Sequence, residues 1–183
     1  MTKTVALRRP QTLGEEIANA ISHGSGVVLA AAGTAVMIYL ACAGAQGLAG
    51  AIIYGLSLTV LYTASCVYHA VRDKRLKKVL RVFDHCSIFL LIAGTYAPIT
   101  LVALRDSVGI PLFAIISACA LIGITCNIID LERFKKLSMV LYVVMGWMAL
   151  LAIKPLLEIS SPSQLALLVG GGDDLLVADG AAG

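Results

Sequence analysis

The chain predicts an all-α fold, a polytopic bundle of transmembrane helices, on three observations. Of its 183 residues, 59% are hydrophobic and 14% charged, where soluble domains carry roughly 25% charged residues. Mean hydropathy is +0.91. The charges gather in clusters, and between them lie uncharged runs at 17–71, 85–104, 107–129 and 137–153; a bilayer core asks for about 20 apolar residues per helix. This composition excludes disorder, an acidic tail protein and an ordinary water-soluble enzyme. A β-barrel is excluded as well. Its strands would alternate apolar and polar residues over about ten positions, and the run from Ile52-Ile53 to Val60-Leu61 does not alternate.

Taken in order, residues 1–16 form an N-terminal segment outside the membrane and 17–158 the bundle. The first uncharged run holds two spans, because Ala43-Gly44-Ala45-Gln46-Gly47 interrupts it with turn-prone residues. Five spans result, near 21–43, 49–71, 83–104, 109–130 and 137–156. The first apolar run starts late and continues into a full span, so it is expected to stay as a membrane helix and not to be cleaved as a leader. The segments 72–81 and 131–136 read as basic loops. In the third span, Gly94 permits close packing and Pro98 bends the helix. Asn127 reads as an interhelical hydrogen bonder, Trp147 as a packing residue and Tyr142 as an interfacial one. Beyond the fifth span the apolar stretch Leu165–Val169 is too short to cross, and residues 159–183 read as an incomplete sixth helix and a disordered tail. Cys42, Cys66, Cys86, Cys119 and Cys126 lie in or beside helices without any Cys-x-x-Cys pair, so they read as small apolar residues, with neither a disulfide framework nor a thiolate metal site.

Basic residues set the orientation. Lys3, Arg8 and Arg9, then the six between Arg72 and Arg81, then Arg133, Lys135 and Lys136 alternate correctly to share one side and make up 12 of the 14. Lys and Arg concentrate in cytoplasmic loops, so the N-terminus is cytoplasmic. The Arg72–Arg81 segment either determines topology alone or also attracts anionic lipid headgroups. No aromatic residue interleaves its charges, so nucleic acid is not an expected partner. Membrane lipids are, and a homo-oligomer is compatible with the sequence.

The chain has three histidines, His23, His69 and His85, each at a helix end on the cytoplasmic side. Asp84 precedes the last. Glu15, Asn19 and His23 are spaced by four and share a helix face, as do Ser65 and His69. A carboxylate at Asp84 could orient an imidazole or hold a metal-bound water. Each residue also has a plainer role: interfacial histidines meet headgroups or cap helices, Ser65 suits helix packing, and Asp84 suits a helix N-terminus. Spacing leaves these alternatives open.

The segments Glu16-Ile17-Ala18-Asn19-Ala20-Ile21-Ser22-His23-Gly24, Ser65-Cys66-Val67-Tyr68-His69, the run from Phe83-Asp84-His85 to Tyr96-Ala97-Pro98, and Leu141-Tyr142-Val143-Val144-Met145-Gly146-Trp147 resemble the hemolysin III family, which is grouped with the adiponectin and progestin receptors. The resemblance spans roughly Gly14 to Lys154. It implies a bundle of seven transmembrane helices with a cytoplasmic N-terminus, here in a bacterial plasma membrane as a multi-pass protein. It also implies zinc near the cytoplasmic face, held by a histidine at the end of helix 2 and a His-x-x-x-His pair in the last helix. Carried over, His69 is a metal ligand, Asp84 holds the zinc-bound water and Ser65 assists it. Zinc lowers the pKa of such a water toward neutrality, which suits hydrolysis of a lipid amide or ester. The bacterial branch is named for haemolysis and described as pore-forming. This chain departs from the pattern in one respect: no histidine follows His85. It therefore reads as a chain that has lost helices 6 and 7, with an incomplete zinc site. The expected function is cytolytic and pore-forming. The alternative is a zinc-dependent membrane hydrolase, inactive here for want of the histidine pair, so whether the chain is an enzyme stays open.

Overall fold

A computed structural model describes residues 11–41 and 45–159. The elements are α1 (Leu13–Ala41), α2 (Ala45–Ala70), α3 (Lys74–Pro98), two π-helical turns (Ile99–Ala103 and Arg105–Gly109), α4 (Ile110–Trp147) and α5 (Ala149–Ile159). The described residues are helical almost throughout and form no strand. Four stretches are long and apolar enough to cross a membrane: Leu13–Ala41, Gly47–Ala70, Lys74–Ala103 and Arg105–Glu158. The last has 54 residues, about 80 Å at 1.5 Å per residue, more than twice a bilayer core of about 30 Å. Asp130 breaks it with extended backbone (φ −161°, ψ 98°). The arms on either side, 105–129 and 131–158, each exceed the about 20 residues that a crossing needs. The bundle thus contains the lengths for the predicted fourth and fifth spans.

Where the helices begin differs from the sequence reading. α1 starts at Leu13, ahead of the span predicted from residue 21, on a reciprocal cap: Thr12 N donates to Glu15 Oε2 (2.7 Å) and Glu15 N to Thr12 Oγ1 (3.3 Å). The segment 74–81 is not a loop but the first two turns of α3. Asp73 caps it, its Oδ1 accepting from Arg75 N at 3.0 Å and Leu76 N at 2.8 Å. Lys, Arg and Leu are good helix formers, and nothing in 74–81 opposes continuation. Likewise 131–136 is helical, with Asp130 Oδ1 accepting from Arg133 N at 3.0 Å. Of the predicted tail 159–183, Ile159 is the last residue of α5, and the rest, like the segment 1–10, lies outside the described residues.

Neighbours in sequence are neighbours in space: α1 packs on α2, α2 on α3, and α3 on α4. The core lies between α3 and α4, around Phe89, Tyr96, Leu104, Ile116, Ala120 and Met145. Gly123 lets the Phe89 ring lie against the α4 backbone, since a Cβ there would fall 2.1 Å from Phe89 Cζ. Tyr96 fixes the same pair, its hydroxyl donating to Met145 O at 2.6 Å. Pro98 ends the α-helical part of α3, and the wider π turns follow directly. Elsewhere large apolar side chains face outward, Leu29, Tyr39 and Ile129 among them, as expected where the solvent is hydrocarbon. Trp147 joins them at 68% exposure, so it lies on the outer surface and not in the packing assigned to it from sequence.

Candidate functional site

One end of the bundle, where α1 begins, α2 ends and α3 begins, collects charge and imidazole. Glu16 of α1 is the hub. His69 Nδ1 lies 2.8 Å from its Oε2, and Lys77 Nζ of α3 lies 2.5 Å from its Oε1. An ionised carboxylate only accepts hydrogen bonds, so the contact puts the His69 ring proton on Nδ1. The three side chains are 17%, 10% and 25% exposed respectively, so one carboxylate ties three helices in a largely dehydrated setting. The His23 ring stacks on that of His69, with centroids 5.8 Å apart and planes inclined by 8°. His23 Nδ1 is buried without a hydrogen-bond partner among the described residues. Tyr68 meets His69 edge-on at 4.7 Å, and the Lys77 ammonium sits 5.1 Å above the Tyr68 ring. Cys66 Sγ approaches Ala20 O at 3.3 Å. Gly26 lets Tyr62 press against α1, where a Cβ would come within 2.5 Å of the ring. A cavity of about 460 Å³ opens beside the cluster, lined by Gln11, Glu16, Ile17, His69, Arg72 and Lys77 among others.

Of the residues singled out from sequence, His69 and His23 come together. Ser65 is buried on α2, one turn before His69. Asp84 lies seven residues beyond Lys77 on α3, on the same side of the helix and about 10 Å along its axis. Its carboxylate faces His85, with 3.8 Å between Oδ2 and Nδ1, while His85 Nδ1 donates to Arg81 O at 2.9 Å. Among the described residues no hydrogen bond or ion pair joins Asp84 or Ser65 to His69. Glu16 and Lys77 are the participants that sequence reasoning missed. Glu16 lies on the Glu16–Ala20–His23 stripe of α1, but spacing alone does not separate it from Glu15, and a lysine in a segment that reads as a loop has no direction.

A second polar group lies between α3 and the two arms of α4. Asn127, fully buried, accepts from Ser138 Oγ at 2.6 Å across the break at Asp130. Tyr142 donates to His85 O at 2.9 Å, and its ring meets that of Phe89 at a tilt of 41°, with centroids 4.4 Å apart. This confirms Asn127 as a bonder between helical segments.

These donors fall short of the expected zinc site. Zinc sites use three or four protein ligands, and among the described residues no three His, Cys, Asp or Glu side chains converge on one point. The nitrogen that His69 turns toward α1 is occupied by Glu16. The described residues do not form a complete zinc site, and no catalytic step is assigned to the ion.

Fold and site together define a polytopic helical membrane protein whose first three helices are tied at one end by a carboxylate, imidazole and ammonium junction. A family profile described as Haemolysin-III related matches residues 11–177, and the chain belongs to that family. It is 40% identical over 169 residues to "Hemolysin-3" of Bacillus cereus, covering 90% of this chain and 76% of that protein. It is 39% identical over 163 residues to "Hemolysin-3 homolog" of Bacillus subtilis (strain 168), covering 88% of this chain and 76% of the relative. No solved structure matches.

Proposed function

We propose that the chain is a cytolytic protein of the hemolysin III type, which permeabilises membranes through association of several copies. The observation that carries this reading is the 40% identity to a Bacillus cereus protein named Hemolysin-3. The geometry supports a particular form of it. The interior between α3 and α4 is filled with apolar side chains, and Phe89, Ile116 and Met145 are each 0% exposed. A packed core of this kind conducts nothing, so a leak path needs surfaces from more than one copy. α1 offers such a surface: it packs on α2 alone among its larger contacts and turns Ile21, Val28, Leu29 and Tyr39 outward.

The test is release of a self-quenched dye from liposomes carrying the purified chain at increasing protein-to-lipid ratio. Leakage should rise more steeply than in proportion to protein density. Strictly proportional leakage would overturn association, and release no faster than from protein-free vesicles at every density would overturn the function itself.

A further inference from the structure

Lys77 decides what Glu16 does to His69. An ammonium only donates hydrogen bonds, and an ionised carboxylate only accepts them. Lys77 Nζ holds Glu16 Oε1 at 2.5 Å, which leaves Oε2 for the imidazole, and Oε2 accepts from His69 Nδ1 at 2.8 Å. A neutral imidazole carries one ring proton. With that proton on Nδ1, Nε2 keeps an unshared electron pair. Nε2 has no hydrogen-bond partner among the described residues and, unlike Nδ1 of His23, is not shut off from solvent. His69 lines the cavity of about 460 Å³ beside the junction. Leu13, Ile17 and Ile21 line it too. They follow one another at i, i+4 and i+8, so they form an apolar stripe along α1, and all three are exposed.

We infer that Glu16 is a positioning residue for His69: braced by Lys77, it fixes the Nδ1–H form of the ring and makes Nε2 the hydrogen-bond acceptor of a binding site in this cavity. The class of ligand follows from the walls. It is an uncharged amphiphile whose hydroxyl or amide N–H donates to Nε2 and whose hydrocarbon lies along Leu13, Ile17 and Ile21. An anion with no proton to give finds only a second electron pair at Nε2, with the Glu16 carboxylate close behind the ring. This inference does not depend on the permeabilising activity. It also specifies what a change at Glu16 does. A glutamine side chain has one accepting and one donating end. Lys77 requires the accepting oxygen, so the amide NH2 faces Nδ1, Nδ1 must accept, and the ring proton moves to Nε2.

The experiment is the nitrogen NMR spectrum of the detergent-solubilised full chain carrying isotope-labelled histidine, at mildly alkaline pH where a free imidazole is neutral. The chain has three histidines, and His69 is assigned from the resonances lost in His69→Gln. The unaltered chain should show His69 with Nδ1 protonated and Nε2 bare. Glu16→Gln should reverse the pattern. Lys77→Met loosens the same junction but leaves a carboxylate facing Nδ1, so it should keep the original pattern. Decanol added to the unaltered chain should shift the Nε2 resonance. Decyl methyl ether, with the same hydrocarbon and no proton to give, should not, and nor should sodium decanoate. A protonated Nε2 in the unaltered chain would overturn the proposal, whether or not either variant folds. So would one common pattern in Glu16→Gln and Lys77→Met, which is what a purely structural Glu16 predicts. Shifts from the ether or from decanoate as large as that from decanol, or no shift from decanol, would overturn the ligand class.

Discussion

Glu16 faces two cation-capable side chains from two different helices, and neither its neighbours in sequence nor its spacing announces this. Spacing by four from His23 leads back to Glu15, yet Glu15 is spent on the cap at Thr12 and Glu16 turns inward. Both positions lie near the His23 face of the helix, so only the tertiary contact with His69 and Lys77 separates them. Lys77 was unreadable for a related reason: in a presumed loop a lysine has no direction. His69, by contrast, was legible, because an ionisable residue ending an otherwise uncharged run of this length is expensive and needs a partner. Replacing Glu16 by Ala leaves a largely buried ammonium and imidazole without their acceptor. Hydrogen bonds to charged groups contribute about 1.5–3 kcal/mol each, so Glu16→Ala should lower the unfolding temperature in detergent clearly, and Glu16→Gln, which keeps an acceptor, should lower it less. An unaltered melting curve for Glu16→Ala would mean that water reaches the junction and replaces the carboxylate.

At the scale of elements, hydropathy located the membrane and missed the helix ends. Clusters of charge mark where hydrocarbon stops, but the backbone has no reason to stop its hydrogen bonding there. Helices end where a residue competes for the backbone groups, and here those residues are Asp73 and Asp130, each accepting from an amide of the turn that follows it. Aspartate ahead of a run of helix formers is a capping signal in sequence, though amid so many charges it is easily counted as one more loop residue. The break at Asp130 matters beyond its own turn, because it folds the second arm of α4 back so that Ser138 meets Asn127 and Tyr142 meets α3. Asp130→Ala should therefore cost about 1 kcal/mol for the lost cap, measured as a lowered unfolding midpoint, while Asp130→Asn or Asp130→Ser restores most of it. A variant in which alanine and asparagine behave alike would show that the break is imposed by packing alone.

For the whole molecule, the class of fold was legible because it follows from composition and run length. The zinc reading was a different kind of statement, since it depends on several side chains from distant helices meeting at one point. Within the described residues His69 has Glu16 on one ring nitrogen and the stacked ring of His23 beside it. Asp84 lies farther down α3, against His85. A lone imidazole beside a carboxylate that is already bridged to Lys77 is a poor competitor for a divalent cation. The Nδ1–H contact with Glu16 leaves Nε2 free, as in a metal-ligating histidine oriented by a carboxylate, but among the described residues zinc would still lack the further donors that it needs. The purified chain, after dialysis against a weak chelator, should consequently hold well below one zinc per copy, and His69→Ala should leave that content unchanged. Near-stoichiometric zinc that disappears in His69→Ala would contradict this. The missing ligands would then have to come from residues outside 11–159 or from a second copy, and cross-titration of His69→Ala with the unaltered chain would tell these two sources apart.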